Sequence, residues 1–150
     1  MTSFRELDAW KYAMELTDVV YDIVKRFPSD ERYALGDQLR RAVVSIPSNI
    51  AEGFGRESHA DFAHFLAQAK GSLFEVDTQL EIAVRRNFIA SSDVPIDLMN
   101  TISKLIGALS RHLRATPSPH KARRGMPGAV CIVLCALCLV PGALCLAWST

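Results

Sequence analysis

Apolar side chains recur every three or four residues through the first 115 positions, the period of an amphipathic helix. In the first segment Leu16, Val19, Val20, Ile23, Val24 and Phe27 keep that step, and Phe4, Leu7, Trp10 and Met14 extend the face toward the N-terminus. Pro28 ends the segment, because its ring disfavours the helical conformation of the residue before it. Ser29 or Asp30 is then expected to cap the next helix. The second stripe is Leu35, Leu39, Val43, Ile46 and Ile50. Pro47 lies inside it and should kink the helix rather than end it, since the stripe continues beyond. Gly53 and Gly55 suit left-handed C-terminal caps, and Ser58 suits the N-cap of a third helix. That helix carries Phe62, Leu66, Ala69, Leu73, Val76, Leu80 and Ala83, alternating steps of four and three, a heptad seam. Asn87 and Ser91-Ser92-Asp93 break it. A fourth stripe, Met99, Ile102, Ile106, Leu109 and Leu113, follows Pro95, which a first helical turn tolerates.

No segment alternates with period two. Loops of a few residues between long helices favour antiparallel neighbours. The expected fold is all-α, an up-down-up-down four-helix bundle over residues 1–116. A basic, Pro-rich linker occupies 117–127, and an uncharged apolar tail occupies 128–150. Residues 128–148 have the length of a membrane span. Lys121, Arg123 and Arg124 would lie on its cytoplasmic side and Trp148 at the far interface. Pro141-Gly142 interrupts the stretch, and a non-native extension is the competing reading.

Charge sharpens this division. The formal net charge is +1, yet all sixteen acids lie between Glu6 and Asp97, so residues 1–116 are net acidic. An acidic body argues against non-specific nucleic-acid binding over its whole surface and leaves room for a local basic patch. The four cysteines, Cys131, Cys135, Cys138 and Cys145, all lie in the tail. A cysteine-free body needs no oxidising compartment, and the N-terminus lacks the apolar run of a signal peptide, so a cytoplasmic location is expected.

Candidate chemistry is sparse. Nucleophilic catalysis needs a base beside the nucleophile. The body offers His59, His64 and His112 with no cysteine, and nothing arranges them into a catalytic set, so no enzyme is expected. Bundle metal sites use paired Glu-x-x-His motifs. Asp61-x-x-His64 is the nearest approach and stands alone, so no metal or cofactor is expected. The tail spacing Cys135-x-x-Cys138 lacks the second half of a zinc site. Gly53-Phe54-Gly55-Arg56 follows a helix and reads as a turn, not a phosphate loop. Among the bases, Arg40, Arg41, Arg56, Lys70, Arg85 and Arg86 are candidate phosphate contacts. Their bland alternative is ion pairing, with Asp37 four before Arg41 and Glu81 four before Arg85.

The string Glu31-x-Tyr33-x-Leu35-x-x-Gln38-x-Arg40-Arg41-Ala42-x-x-Ser45-Ile46-Pro47-Ser48-Asn49-Ile50-Ala51-Glu52-Gly53-x-x-Arg56 resembles the signature of four-helix-bundle proteins encoded in 23S rRNA intervening sequences. Phe65-Leu66-x-x-Ala69-x-Gly71-Ser72-x-x-Glu75-x-x-x-Gln79-Leu80, Phe4-x-x-Leu7-x-x-Trp10 and Phe27-Pro28 extend the likeness over roughly residues 4–114. The resemblance implies a bacterial, cytoplasmic, non-enzymatic bundle assembled as a ring-shaped homopentamer. A relative, the accessory variability protein of diversity-generating retroelements, is a basic pentamer that binds nucleic acid and reverse transcriptase. By this likeness Arg40, Arg41 and Arg56 are the candidate nucleic-acid contacts. Ser45, Pro47, Asn49, Glu52, Gly53, Gly71 and Ser72 are structural or interface residues. Ser45, Asn49, Glu52 and Arg56 form a polar row suited to a buried hydrogen-bond network or a subunit contact, and Gly71-Ser72 should let helices approach closely. Two features depart from the family: the body is acidic, unlike the retroelement relative, and the tail after Thr116 lies outside the pattern. The expected function is a homo-oligomeric bundle bound to structured RNA or a nucleoprotein. The alternative is a protein-interaction scaffold without nucleic-acid binding, held at a membrane by its tail.

Overall fold

Each apolar stripe becomes the buried face of a helix. The computed structural model describes residues 3–116. Four helices form: α1 (Asp8–Lys25), α2 (Leu35–Phe54), α3 (His59–Arg85) and α4 (Ile96–Ala115), with 3₁₀ turns at Phe4–Glu6 and Ser91–Asp93. Each helix packs on the next and α4 closes on α1, making a four-helix bundle. Contacts join early residues of one helix to late residues of its neighbour. Tyr21 meets Arg40, Ser45 meets Ser72, and Gly53 meets Phe62.

The core is built from Leu16, Val20, Ile23 and Val24, from Leu39, Val43, Ile46 and Ile50, from the whole α3 seam, and from Ile102 and Ile106. Each such side chain taken out of water contributes about 1.5–3 kcal/mol before entropy is counted. Val19, Leu35 and Leu109 are the partial exceptions, half-buried at the edges of their stripes. The N-terminal extension of the first stripe divides. Phe4 belongs to a separate turn, Leu7 is buried as the N-cap of α1, and Met14 faces outward at 37% exposure. Ala9 and Ala13 take the inner positions instead, because small side chains let α1 lie close to the bundle.

The helix ends depart further from expectation. Ser29 and Asp30 do not cap α2, which starts at Leu35 behind Ala34 with no side-chain cap. The intervening chain makes its own turn, with Arg32 N–H donating to the Pro28 carbonyl at 2.9 Å. The Arg32 guanidinium then donates to the carbonyls of Lys25 and Phe27, satisfying acceptors at the end of α1. The connections at 26–34 and 86–95 are thus longer than a few residues and carry structure of their own.

Helix α2 runs through the buried Pro47 to Phe54. Gly53 and Gly55 are not left-handed caps. Gly55 has φ −75°, and Gly53 lies within the helix, where an added Cβ would sit 2.6 Å from Phe62 Cδ2 and 2.7 Å from Phe65 Cβ. Gly53 is present because α3 crosses there with no room for a side chain. Ser58 caps α3 as expected, its hydroxyl accepting from Asp61 N–H at 3.0 Å. At the far end Asn87 adopts φ 58°. Phe88 N–H reaches the Ala83 carbonyl and Asn87 N–H that of Val84, a Schellman closure.

No helix among the described residues is long and apolar enough to cross a membrane. The linker at 117–127 and the apolar tail, with its four cysteines and its candidate span, lie outside the described residues.

Candidate functional site

The family-motif residues lie on α2 and the facing side of α3. Ser45 and Ser72 bring their hydroxyls to 2.9 Å across the helix pair. Asn49 donates through Nδ2 to both the Ser45 carbonyl at 2.8 Å and the Ser45 hydroxyl at 2.9 Å. On α2 this partly buried network straddles Pro47, whose ring supplies no N–H to the helix ladder, with Ser45 and Asn49 each two residues away. It ties together the two helices that share the bundle's most extensive contact. The polar row then divides. Glu52 and Arg56 form an exposed ion pair with each other, and the Arg56 guanidinium lies 4.7 Å from the Phe65 ring centre. Gly71 does not mediate close helix approach. It is exposed, and an added Cβ would meet nothing within 4 Å.

The three arginines expected to contact phosphate are not equivalent. Arg40 is bound to Asp37 at 2.6 Å, accepted by the Arg32 carbonyl, and stacked 5.9 Å over the Tyr21 ring. Asp37 therefore pairs at the third residue rather than with Arg41 at the fourth. Arg56 is held by Glu52. Arg41 is exposed and pairs with no acid among the described residues. The Glu81–Arg85 pair forms as spaced, at 2.7 Å.

Other cations gather where the motif does not point. Lys70 of α3 and Arg111 and Arg114 of α4 line a groove of about 230 Å³ floored by Leu66, Ile106 and Gly107. None of the three forms an ion pair among the described residues. Further along the same α3–α4 cleft, Phe74 and Ile96 stand 55% and 50% exposed beside Met99 and the Asp77 carboxylate. On the opposite side, Trp10 and Met14 of α1 and Val44, Pro47 and Ala51 of α2 surround a mostly apolar groove of about 270 Å³. Arg111 and Arg114 belong to no motif in the sequence. The available signal was the absence of any acid after Asp97.

Titration adds little chemistry. Two surface carboxylates are held below the ordinary range, Asp22 by its hydrogen bond and attraction to Lys25, and Asp93 by its hydrogen bonds to Arg26 and to the Ala90 amide. His59 bonds the Thr116 carbonyl through Nδ1, and His64 bonds Gln68. No three of His, Cys, Asp and Glu converge as a metal cage among the described residues.

Fold and surface together define an all-helical bundle whose polar features are surface grooves and a serine–asparagine network between α2 and α3. The chain belongs to the 23S rRNA-intervening sequence protein family, whose model matches residues 5–111. No individually curated protein matches the sequence.

Proposed function

We propose that the chain is a cytoplasmic, non-enzymatic bundle that assembles into a homo-oligomer, a pentamer by family resemblance, with RNA or a nucleoprotein as its partner. The carrying observation is the α1–α2 face. Met14, Tyr21 and Val44 stand 37–41% exposed there, next to the groove lined by Trp10 and Pro47. Contiguous apolar surface of this kind marks an interaction site. Its content is also that of an interface core, rich in Trp, Tyr, Met and Arg and poor in charge. Arg40, already neutralised by Asp37 and stacked on Tyr21, can be covered without burying a lone charge.

Light scattering on the full chain tests the assembly. The expected mass is a discrete multiple of the 16.6 kDa protomer. The pair Met14→Glu and Val44→Glu should release protomers while helical circular dichroism is retained, because both side chains already meet water. A 16.6 kDa particle at every concentration tested would rule the reading out. A stable oligomer that ignores RNA would favour a protein-interaction scaffold.

A further inference from the structure

After Asp97 the chain contains six bases, Lys104, Arg111, Arg114, Lys121, Arg123 and Arg124, and no acid. Within the bundle this asymmetry acquires a shape. Arg111 and Arg114 are three apart, so they share one face of α4, and that face meets Lys70 of α3 across the open groove. Six other cations of the bundle are neutralised, Lys11 by Asp8, Lys25 by Asp22, Arg26 by Asp93, Arg40 by Asp37, Arg56 by Glu52 and Arg85 by Glu81. Three convergent cations without a carboxylate repel one another and are poised to accept anions.

The groove floor is also built for close approach. An alanine at Gly107 would meet only the Arg111 guanidinium, at 3.7 Å, so packing within the bundle does not require glycine there. Ser110 adds a hydroxyl at the rim. The Lys70 ammonium lies 5.6 Å from the centre of the exposed Phe74 ring, which continues the cleft. Cations that follow a strand beside an exposed aromatic face are the combination that binds single-stranded nucleic acid, phosphates on the bases and a nucleobase on the ring.

We propose that the α3–α4 cleft is an RNA-binding groove, in which Lys70, Arg111 and Arg114 contact consecutive phosphodiesters and Phe74 stacks an unpaired base. This rests on the RNA half of the function proposed above and moves the contact away from Arg40 and Arg56, whose charges are already matched. The groove lies within one protomer, on the side of the bundle away from the α1–α2 face. Backbone contacts and ring stacking read no base edge, so recognition is of strand and shape rather than sequence.

The test is fluorescence anisotropy of the full chain with a labelled RNA hairpin bearing a single-stranded loop, titrated from 50 to 200 mM salt. Wild type should bind with strong salt dependence. The triple variant Lys70→Gln, Arg111→Gln, Arg114→Gln should make the slope of log affinity against log salt shallower by about 2 to 3, near 0.7–0.9 per lost phosphate contact. Phe74→Ala should weaken the looped probe roughly fivefold or more and spare a fully paired duplex. The control pair Arg41→Gln, Arg56→Gln, outside both the groove and the α1–α2 face, should change the slope by less than about 1. Circular dichroism and light scattering confirm that each variant keeps fold and assembly. An unchanged slope in the groove variant, with wild type still binding, overturns the site and leaves the RNA reading standing. No RNA binding by wild type overturns both. Equal binding to polyglutamate or to phosphatidylserine vesicles overturns the assignment to nucleic acid.

Discussion

Gly53 and Gly71 are both glycines inside helices, and their surroundings make opposite predictions. At Gly53 the added methyl would strike Phe62 and the Cβ of Phe65, an atom fixed to the backbone that cannot swing aside. Gly53→Ala should therefore cost about 1–3 kcal/mol, as overpacking does. At Gly71 the methyl would enter open space, and Gly71→Ala should gain about 1 kcal/mol from helix propensity. Thermal melts of the two variants check this pair, and matching shifts would contradict the contacts described. Asn87 makes a third residue-scale case. Its φ of 58° is costly for most side chains. Asn87→Ala should lose roughly 1 kcal/mol, while Asn87→Gly should be near neutral. Sequence announced a break at Asn87 and a motif glycine at each of the other positions. It did not announce which glycine was a packing necessity, because that depends on where Phe62 and Phe65 cross α2.

At the scale of elements, the four apolar stripes were legible because burial on one helix face imposes a 3.6-residue period wherever the chain is helical. The Ser58 cap was legible too, since a serine before an amphipathic run can satisfy an amide of the first turn. The ends of α1 and α2 were not. Ser29 and Asp30 are sound caps in isolation, but the turn at Pro28–Arg32 and the Arg32 guanidinium satisfy those backbone groups first. Ion-pair partners were half legible, since Asp37 can reach both Arg40 and Arg41, and the Tyr21 ring favours Arg40. The 86–95 connection is fastened by Arg26, whose guanidinium lies 3.1 Å from Asp93. That contact holds the Asp93 carboxyl below its ordinary 3.8. A depressed folded-state pKa adds stability that is present above 3.8 and lost as pH falls through the folded value. Arg26→Gln should therefore destabilise the bundle near neutral pH, and the gap from wild type should close in strong acid. Carbon-detected NMR titration should show Asp93 moving up toward 3.8 in the variant. A gap that persists unchanged at pH 2 would exclude the ion pair as its cause.

For the whole molecule, the bundle sorts its surface by side. The α1–α2 face is apolar and carries one neutralised arginine. The α3–α4 cleft carries three unmatched cations at one end and exposed Phe74 and Ile96 at the other. The family and the fold were legible in the motif string, because those residues make the α2–α3 contact that the bundle depends on. The grooves were not, because Lys70 and Arg114 are far apart in the chain and become neighbours only when α4 returns along α3. The acidic total charge also concealed the patch, since Arg40, Arg56 and Arg85 are cancelled locally and the α4 arginines are not. The proposed assembly through one face and the proposed RNA groove on the other have a joint consequence: protomers added to the particle should bring further grooves without closing those already present. Sedimentation velocity of the full chain with labelled looped RNA measures both at once. The RNA should sediment with a particle of several 16.6 kDa protomers, and its addition should leave the protein's own assembly state unchanged. RNA that stays with a monomer, or that disperses the oligomer on binding, would contradict this arrangement.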